Sequence, residues 1–302
     1  MVFVLLLSSV LVDDPAVPTP DFHLSGYIQG RFTNVADTKD RFEIRRARLV
    51  FSGDLDEHLS FTIQTDVVKL PYLLDASVEV KPSRAFKIVA GQFKLPFSME
   101  SLTPDNEVAP IERAKVINSF VPGRDLGVQA RDTGVELAGK IHNVDYAGGV
   151  FTGALIVNSP QAEYHASAFR AVAHFGGLAI GGDLYRSFST LEKSRQSVEA
   201  VYRRGPFTGQ SEFIWGHDGG IERRGGYVLG VWRWSKRWQG VARDDWYTSN
   251  IDKRNTTTDS WLIGANYYLF PKVRIQANGG LRREPSSLIL SGLFLTQLQV
   301  GF

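Results

Sequence analysis

The chain has 302 residues, 43% hydrophobic, 22% charged and 12% aromatic, and its 34 Lys+Arg against 32 Asp+Glu leave a net charge of +2. No apolar run nears the roughly 18 residues a membrane helix needs, which excludes a helical membrane protein, and the absence of Cys excludes disulfide scaffolds, thiolate zinc sites and cysteine nucleophiles. So balanced a charge supplies no concentrated basic face, and nucleic acid is not an expected partner.

Residues 1–21 are signal-peptide-like. Apolar stretches at 2–7 and 10–12 precede Asp13, Asp14 and a Pro-rich stretch ending at Pro20. The apolar core is too short to span a bilayer as a helix and lacks both a basic front and a clear small-residue cleavage site. The expectation is an export signal shortened at its front; a frayed apolar start or a misassigned start codon are the alternatives.

From Phe22 to the end, one device repeats. In the first segment Phe22, Leu24, Gly26, Ile28, Gly30 and Phe32 alternate with His23, Ser25, Tyr27, Gln29 and Arg31. A period of two is that of a strand with one oily and one wet face. Similar segments number about sixteen, with centres near Tyr27, Ala47, Ile63, Val78, Val89, Ala130, Ala147, Phe169, Gly182, Ala200, Glu212, Gly230, Ala242, Gly264, Ala277 and Thr296. The last one sets Phe294, Thr296, Leu298, Val300 and Phe302 against Leu295, Gln297, Gln299 and Gly301, ending the chain on an aromatic residue.

The links carry a second period. Short ones follow even strands, as at 53–58, 81–85, 174–177, 205–206, 235–236 and 271–272, and longer ones mostly follow odd strands, as at 34–40, 96–124, 154–163, 188–194, 217–223 and 249–257; the short link at 69–72 breaks the rule. A soluble sandwich would also alternate, but its links need not, and its oily faces would pack against each other. Tight turns at one end and loops at the other predict an all-β, transmembrane, antiparallel up-and-down barrel of about 16 strands over 22–302, oily outside and wet inside. Phe32, Phe86, Tyr146, Phe151, Trp215, Trp232, Trp234, Trp261 and Phe270 are candidates for its interfacial girdles. Its expected place is the bacterial outer membrane, in contact with outer-membrane lipid.

Alternation on the second strand, where Ala47, Leu49 and Phe51 face lipid, points Arg46 and Arg48 into the lumen and sets Arg45 on the lipid side near a strand end, paired with Glu43 or snorkelling. Lumenal Asp66, Asp75 and Glu79 are candidate partners that would cancel the arginine field. The longest link, about 96–124, is too oily to lie in solvent, and Ala109 to Val116 reads as a short helix with Pro110 at its start. Folded into the barrel, it would narrow the lumen and bring Lys94, Arg113, Lys115 and Arg124 to a constriction where each charge counts most. An outer lid or a latch between protomers is the alternative.

Five blocks carry a family resemblance: Phe42-Glu43-Ile44-Arg45-Arg46-Ala47-Arg48-Leu49, Gly91-Gln92-Phe93-Lys94-Leu95-Pro96-Phe97-Ser98, Ile111-Glu112-Arg113, Pro122-Gly123-Arg124-Asp125-Leu126-Gly127-Val128, and Gly149-Val150-Phe151-Thr152-Gly153. In this order the chain resembles the phosphate-selective porins of the O and P type. The resemblance implies a sixteen-stranded outer-membrane barrel, usually trimeric, whose third extracellular loop folds inward and whose arginine-lined route leads to a narrow anion site. It makes Arg45 and Arg46 the paired arginines of the second strand, which conflicts with alternation over Arg45, and Arg113 the arginine of the constriction loop. A terminal strand ending on Phe302 resembles the signal read by the outer-membrane assembly machinery. The chain departs from the family at Thr103-Pro104-Asp105-Asn106-Glu107, where members carry small hydroxyl residues; two carboxylates there would repel phosphate unless turned away.

The six His residues show no paired metal spacing, and Asp244 and Asp245, being adjacent, face opposite sides of a strand. No metal, no cofactor and no catalytic group are expected. The expected function is passive diffusion of small inorganic anions, phosphate or related oxyanions, past Arg45, Arg46, Arg48, Lys94, Arg113, Lys115 and Arg124. A plugged barrel with a structural or adhesive role is the alternative.

Overall fold

A computed structural model describes residues 19–36, 39–83, 85–153, 165–188, 192–285, 287 and 289–302. Most of the expected export signal lies outside the described residues. The strands are β1 (Asp21–Val35), β2 (Arg41–Asp54), β3 (Leu59–Asp66), β4 (Leu73–Val80), β5 (Phe86–Lys94), β6 (Arg131–Ile141), β7 (Val144–Phe151) and β8 (His165–Phe175). They continue as β9 (Leu178–Phe188), β10 (Lys193–Arg204), β11 (Phe207–Asp218), β12 (Ile221–Trp232), β13 (Trp238–Thr248), β14 (Thr257–Phe270), β15 (Val273–Arg283) and β16 (Leu290–Gly301). Each pairs antiparallel with its sequence neighbours, and β1 pairs with β16 to close the barrel. The Phe302 N–H donates to the Gly26 carbonyl at 3.0 Å, sealing that seam. Closure leaves no edge strand for another chain to extend.

The polarity of the wall is that of a membrane barrel. On β1, Phe22, Leu24 and Ile28 are about half exposed on the outside, while Tyr27, Gln29 and Arg31 are buried on the inside. On β16, Phe294, Leu298, Val300 and Phe302 are outside and Leu295, Gln297 and Gln299 inside. An oily exterior around buried Gln, Arg and Asp is stable only where the exterior meets hydrocarbon. Trp215, Trp232, Trp234, Trp261 and Phe270 are exposed, as a girdle requires. Phe151 is not: it is 4% exposed and packs edge-on against Phe93, with ring centroids 5.7 Å apart. Its neighbour Val150 takes the outward position instead.

Fifteen of the expected centres fall inside strands; Ala130 lies one residue before β6, at φ 62°. The link between β11 and β12, expected to be long, is only residues 219–220, because β-pairing continues out to Asp218↔Ile221. The β5–β6 link runs from 95 to 130 and carries two short helices, α1 (Met99–Leu102) and α2 (Lys115–Phe120). Residues 109–114 are not helical. Their backbone is hydrogen-bonded to the wall instead: Asn266 and Gln276 donate to the Ala109 carbonyl, and the Ile111 N–H donates to Asn278. These tertiary bonds replace the local ones on which the helix expectation relied.

Candidate functional site

The site begins with one irregularity in β2. Gln29 pairs with Arg46 but Gly30 pairs with Ile44, so Arg45 is an extra residue, a β-bulge. A bulge resets the two-residue phase. Glu43 before it and Arg46 and Arg48 after it therefore share the inner face, and Arg45 joins them. Its side chain is 20% exposed, and its Nε lies 3.7 Å from Glu112 of the β5–β6 segment. Arg45 is thus not on the lipid side, where simple alternation placed it.

Inside, the basic residues meet a carboxylate hub. Arg48 donates to Asp66 at 3.2 Å and to Asp105 at 2.7 Å. Asp105 also receives Arg113 through Nε at 3.2 Å and Nη2 at 2.9 Å, and lies 3.4 Å from Arg46. Burial pushes the Asp105 carboxyl upward, but Arg46, Arg113 and Arg48 outweigh burial and hold it well below the usual carboxylate range. Glu112, beside Arg45 and bonded to Arg31, is likewise lowered against the effect of burial. Of the lumenal carboxylates expected as partners, Asp66 does pair with Arg48 and Asp75 pairs with Arg131 at 2.8 Å, whereas Glu79 is taken by Lys81 and Lys87.

Two cavities flank this hub. One, about 690 Å³, opens toward the short-turn end, where Pro271, Lys272 and Phe302 line it; Arg48, Lys94, Arg131, Arg233 and Arg274 add cations, against Asp75, Asp105 and Glu107. The other, about 320 Å³, lies toward the long-loop end and is lined by Arg45, Arg46, Lys69 and Arg124 with Asp66 as the single acid. Asp105 lines the first and its partner Arg46 the second, so this ion pair stands between them.

The seven expected site residues divide accordingly. Arg45, Arg46 and Arg124 line the smaller cavity, and Arg48 and Lys94 the larger. Lys94 also donates to the carbonyls of Ser101 and Leu102, both at 3.0 Å, at the end of α1. Arg113 is buried within the segment itself, stapling the carbonyls of Glu100 and Thr103 to Asp105. Lys115 lines neither cavity; its N–H donates to Asp245 of β13.

Opposite the basic side, the segment is anchored by groups that sequence alone did not single out. Asp183, Glu199 and Glu212, on the successive strands β9, β10 and β11, accept from the N–H groups of Ser98, Met99 and Glu100 at 3.0, 3.0 and 2.9 Å. Their carboxylates lie close enough to one another to hold a cation, but three amides at the start of α1 already supply positive ends. The only signal in the sequence was their inward phase, which has meaning once the register is known. Further along, Val116, Ile117, Phe120 and Val121 are fully buried against Ile214, Tyr227, Leu229 and Tyr247. A β-carbon at Gly225 would lie 2.8 Å from the Val116 side chain, so α2 can approach β12 only over a glycine. Arg195 completes the anchor, donating to the Phe120 carbonyl at 2.9 Å with its guanidinium 4.0 Å from the ring centre.

A closed sixteen-strand barrel with an oily exterior and basic internal cavities is a porin of the bacterial outer membrane. The family model for phosphate-selective porin O and P matches residues 24–180 and 185–285, and the chain belongs to that family. No curated protein matches it in sequence. Among solved structures it is similar to the trimer form of OmpT, an outer membrane protein of Vibrio cholerae, at TM-score 0.75 and 10% identity over 94% of this chain and 99% of that one. It is similar also to the anion-selective porin of Comamonas acidovorans, at 0.74 and 11% over 94% and 100%, and to Salmonella typhi OmpF in complex with daunomycin, at 0.67 and 8% over 93% and 97%. Fold and family are those of a channel rather than an enzyme.

Proposed function

We propose that the protein lets small anions, phosphate or related oxyanions, diffuse passively across the outer membrane along the side of the lumen formed by β1–β4. The observation that carries this is the charge of the two cavities: four cations to one acid in the smaller, six to three in the larger. An anion entering from outside meets Arg45, Arg46, Lys69 and Arg124, passes Arg48 beside the hub, and leaves past Arg131, Arg274 and Lys272. Guanidinium and ammonium donors replace part of its hydration shell, while the carboxylates among them keep binding weak enough for release. The opposite half of the lumen, filled by the segment and its apolar anchor, carries no solute in this scheme. The trimeric form of OmpT and the family together support a homotrimer, and the outward Phe302 at the barrel seam supports recognition by the assembly machinery.

The second reading, a plugged barrel with a structural or adhesive role, is favoured by one observation, the extent to which the segment packs against β9–β14. A planar-bilayer recording of the purified protein in a potassium chloride gradient separates the two. The channel gives a current whose reversal potential favours chloride; a silent membrane supports the plug, and a cation-selective reversal potential refutes the anion route.

A further inference from the structure

The hub holds an anion already, and it belongs to the chain. Asp105 Oδ2 accepts from Arg48 at 2.7 Å, Oδ1 accepts from Arg113 at 2.9 and 3.2 Å, and Arg46 stands 3.4 Å from Oδ1. Three guanidiniums converging on two oxygens is the donor arrangement that recognises a phosphate-like oxyanion, because each planar fork can meet an oxygen pair. The Asp105 side chain is 3% exposed, and its ion pair with Arg46 stands between the two cavities.

We propose that Asp105 is a tethered competitor occupying the oxyanion seat of this channel, and that it sets the channel's preference for weakly held anions over retained oxyanions. The inference rests on the anion-channel function proposed above and assigns the residue that determines its specificity. A side chain fixed beside the guanidiniums acts at an effective concentration of ~millimolar or higher, so a free oxyanion at lower concentration cannot displace it. The charge count agrees. Arg46, Arg48 and Arg113 face Asp105 and Asp66, which leaves one uncompensated positive charge; without Asp105 the same three would face Asp66 alone. One surplus charge attracts a passing monovalent anion, whereas two form a site that a phosphate dianion neutralises. Asp252, exposed in the β13–β14 loop, lines neither cavity and serves as the matched control.

The test is inhibition of chloride current by added inorganic phosphate in planar bilayers, comparing the native protein with Asp105→Asn, Asp105→Ser and Asp252→Asn. The native channel and Asp252→Asn are expected to carry chloride with little block. Both Asp105 variants are expected to show saturable block, with half-inhibition at about ten-fold lower phosphate. Heat-modifiable migration on gels verifies that each barrel is folded, and two different replacements guard against one of them loosening the segment. Superimposable block curves for all four proteins, with chloride selectivity intact, overturn the proposal while leaving the anion channel standing. A native protein that selects cations refutes the channel function first, and is recognised by its reversal potential before any phosphate is added.

Discussion

Replacing Arg46 by Ala removes one of the two members of the ion pair that stands between the cavities. Arg46 Nη2 lies 3.4 Å from Asp105 and Nη1 donates to Gln29 at 3.0 Å, so at a passing solute the fields of guanidinium and carboxylate largely cancel. Without the guanidinium the solute meets the carboxylate less well compensated. A unit charge about 6 Å away is worth about 2.8 kcal/mol at an effective dielectric of about 20 and about 0.7 kcal/mol at that of water. Anion occupancy at the hub then falls between about three-fold and about a hundred-fold. The assay is the reversal potential in a potassium chloride gradient, measured at low and high ionic strength, since screening shortens the reach of an exposed charge to about 8 Å at physiological salt. Arg46→Ala is expected to move the reversal potential toward the cation side, most at low salt. Arg254→Ala, in the exposed β13–β14 loop, is expected to leave it in place. Equal shifts for the two variants would refute the reasoning, because the hub would then be no more sensitive than the barrel's rim.

Other expectations concern the anchor and the hub. Arg195→Ala removes one of the two guanidiniums on Asp218, leaving Arg223 at 3.3 Å, and frees the buried Phe120 carbonyl, a loss of about 1 to 3 kcal/mol to the local structure; the melting temperature is expected to fall and open-channel noise to rise. Phe120→Ala empties a fully buried position between α2 and Tyr247 at a cost of about 3 to 5 kcal/mol, and limited proteolysis within 95–130 is expected to quicken while the strands stay resistant. Asp105 titrates below the ordinary carboxylate range because Arg46, Arg113 and Arg48 outweigh its burial. A carboxylate lowered in this way lends stability that is complete above its unfolded value and lost as pH falls through its folded one. Selectivity at the hub is therefore expected to stay level from pH 7 down to about 4; a step between pH 5 and 7 that disappears in Asp105→Asn would contradict it.

The barrel was legible because a membrane wall imposes one rule on every strand. Phe22 to Phe32 and Phe294 to Phe302 display it openly, and the lipid-facing half of each strand admits few exceptions. Arg45 was not legible by the same means. Alternation assumes an unbroken ladder, and a single inserted residue is invisible until β1 supplies the register. The helix expected over 109–116 is absent over 109–114 for a related reason: Pro110 and the apolar spacing described a local preference, while Asn266, Gln276 and Asn278 of distant strands offered the backbone better partners. Asp105 was noticed as an acid out of place, yet its hub depends on Arg46 and Arg48 from β2 meeting Arg113 from the long segment. The carboxylates of β9–β11 left no local trace beyond their inward phase, since the main-chain amides they hold lie 85 to 112 positions away.

The inserted residue in β2 also changes what the strand can contain. A regular strand allots every other position to water, so two adjacent guanidiniums would force one of them into oil. Here the kink lets Arg45 and Arg46 sit side by side on the aqueous wall. Excising Arg45 would leave every remaining side chain of β2 facing as it does now, whereas excising Ala47 would bring Arg48 into step with the hydrocarbon. The strand tolerates loss of a residue at one place and punishes it two positions on, an asymmetry that a deletion scan would display as a single notch.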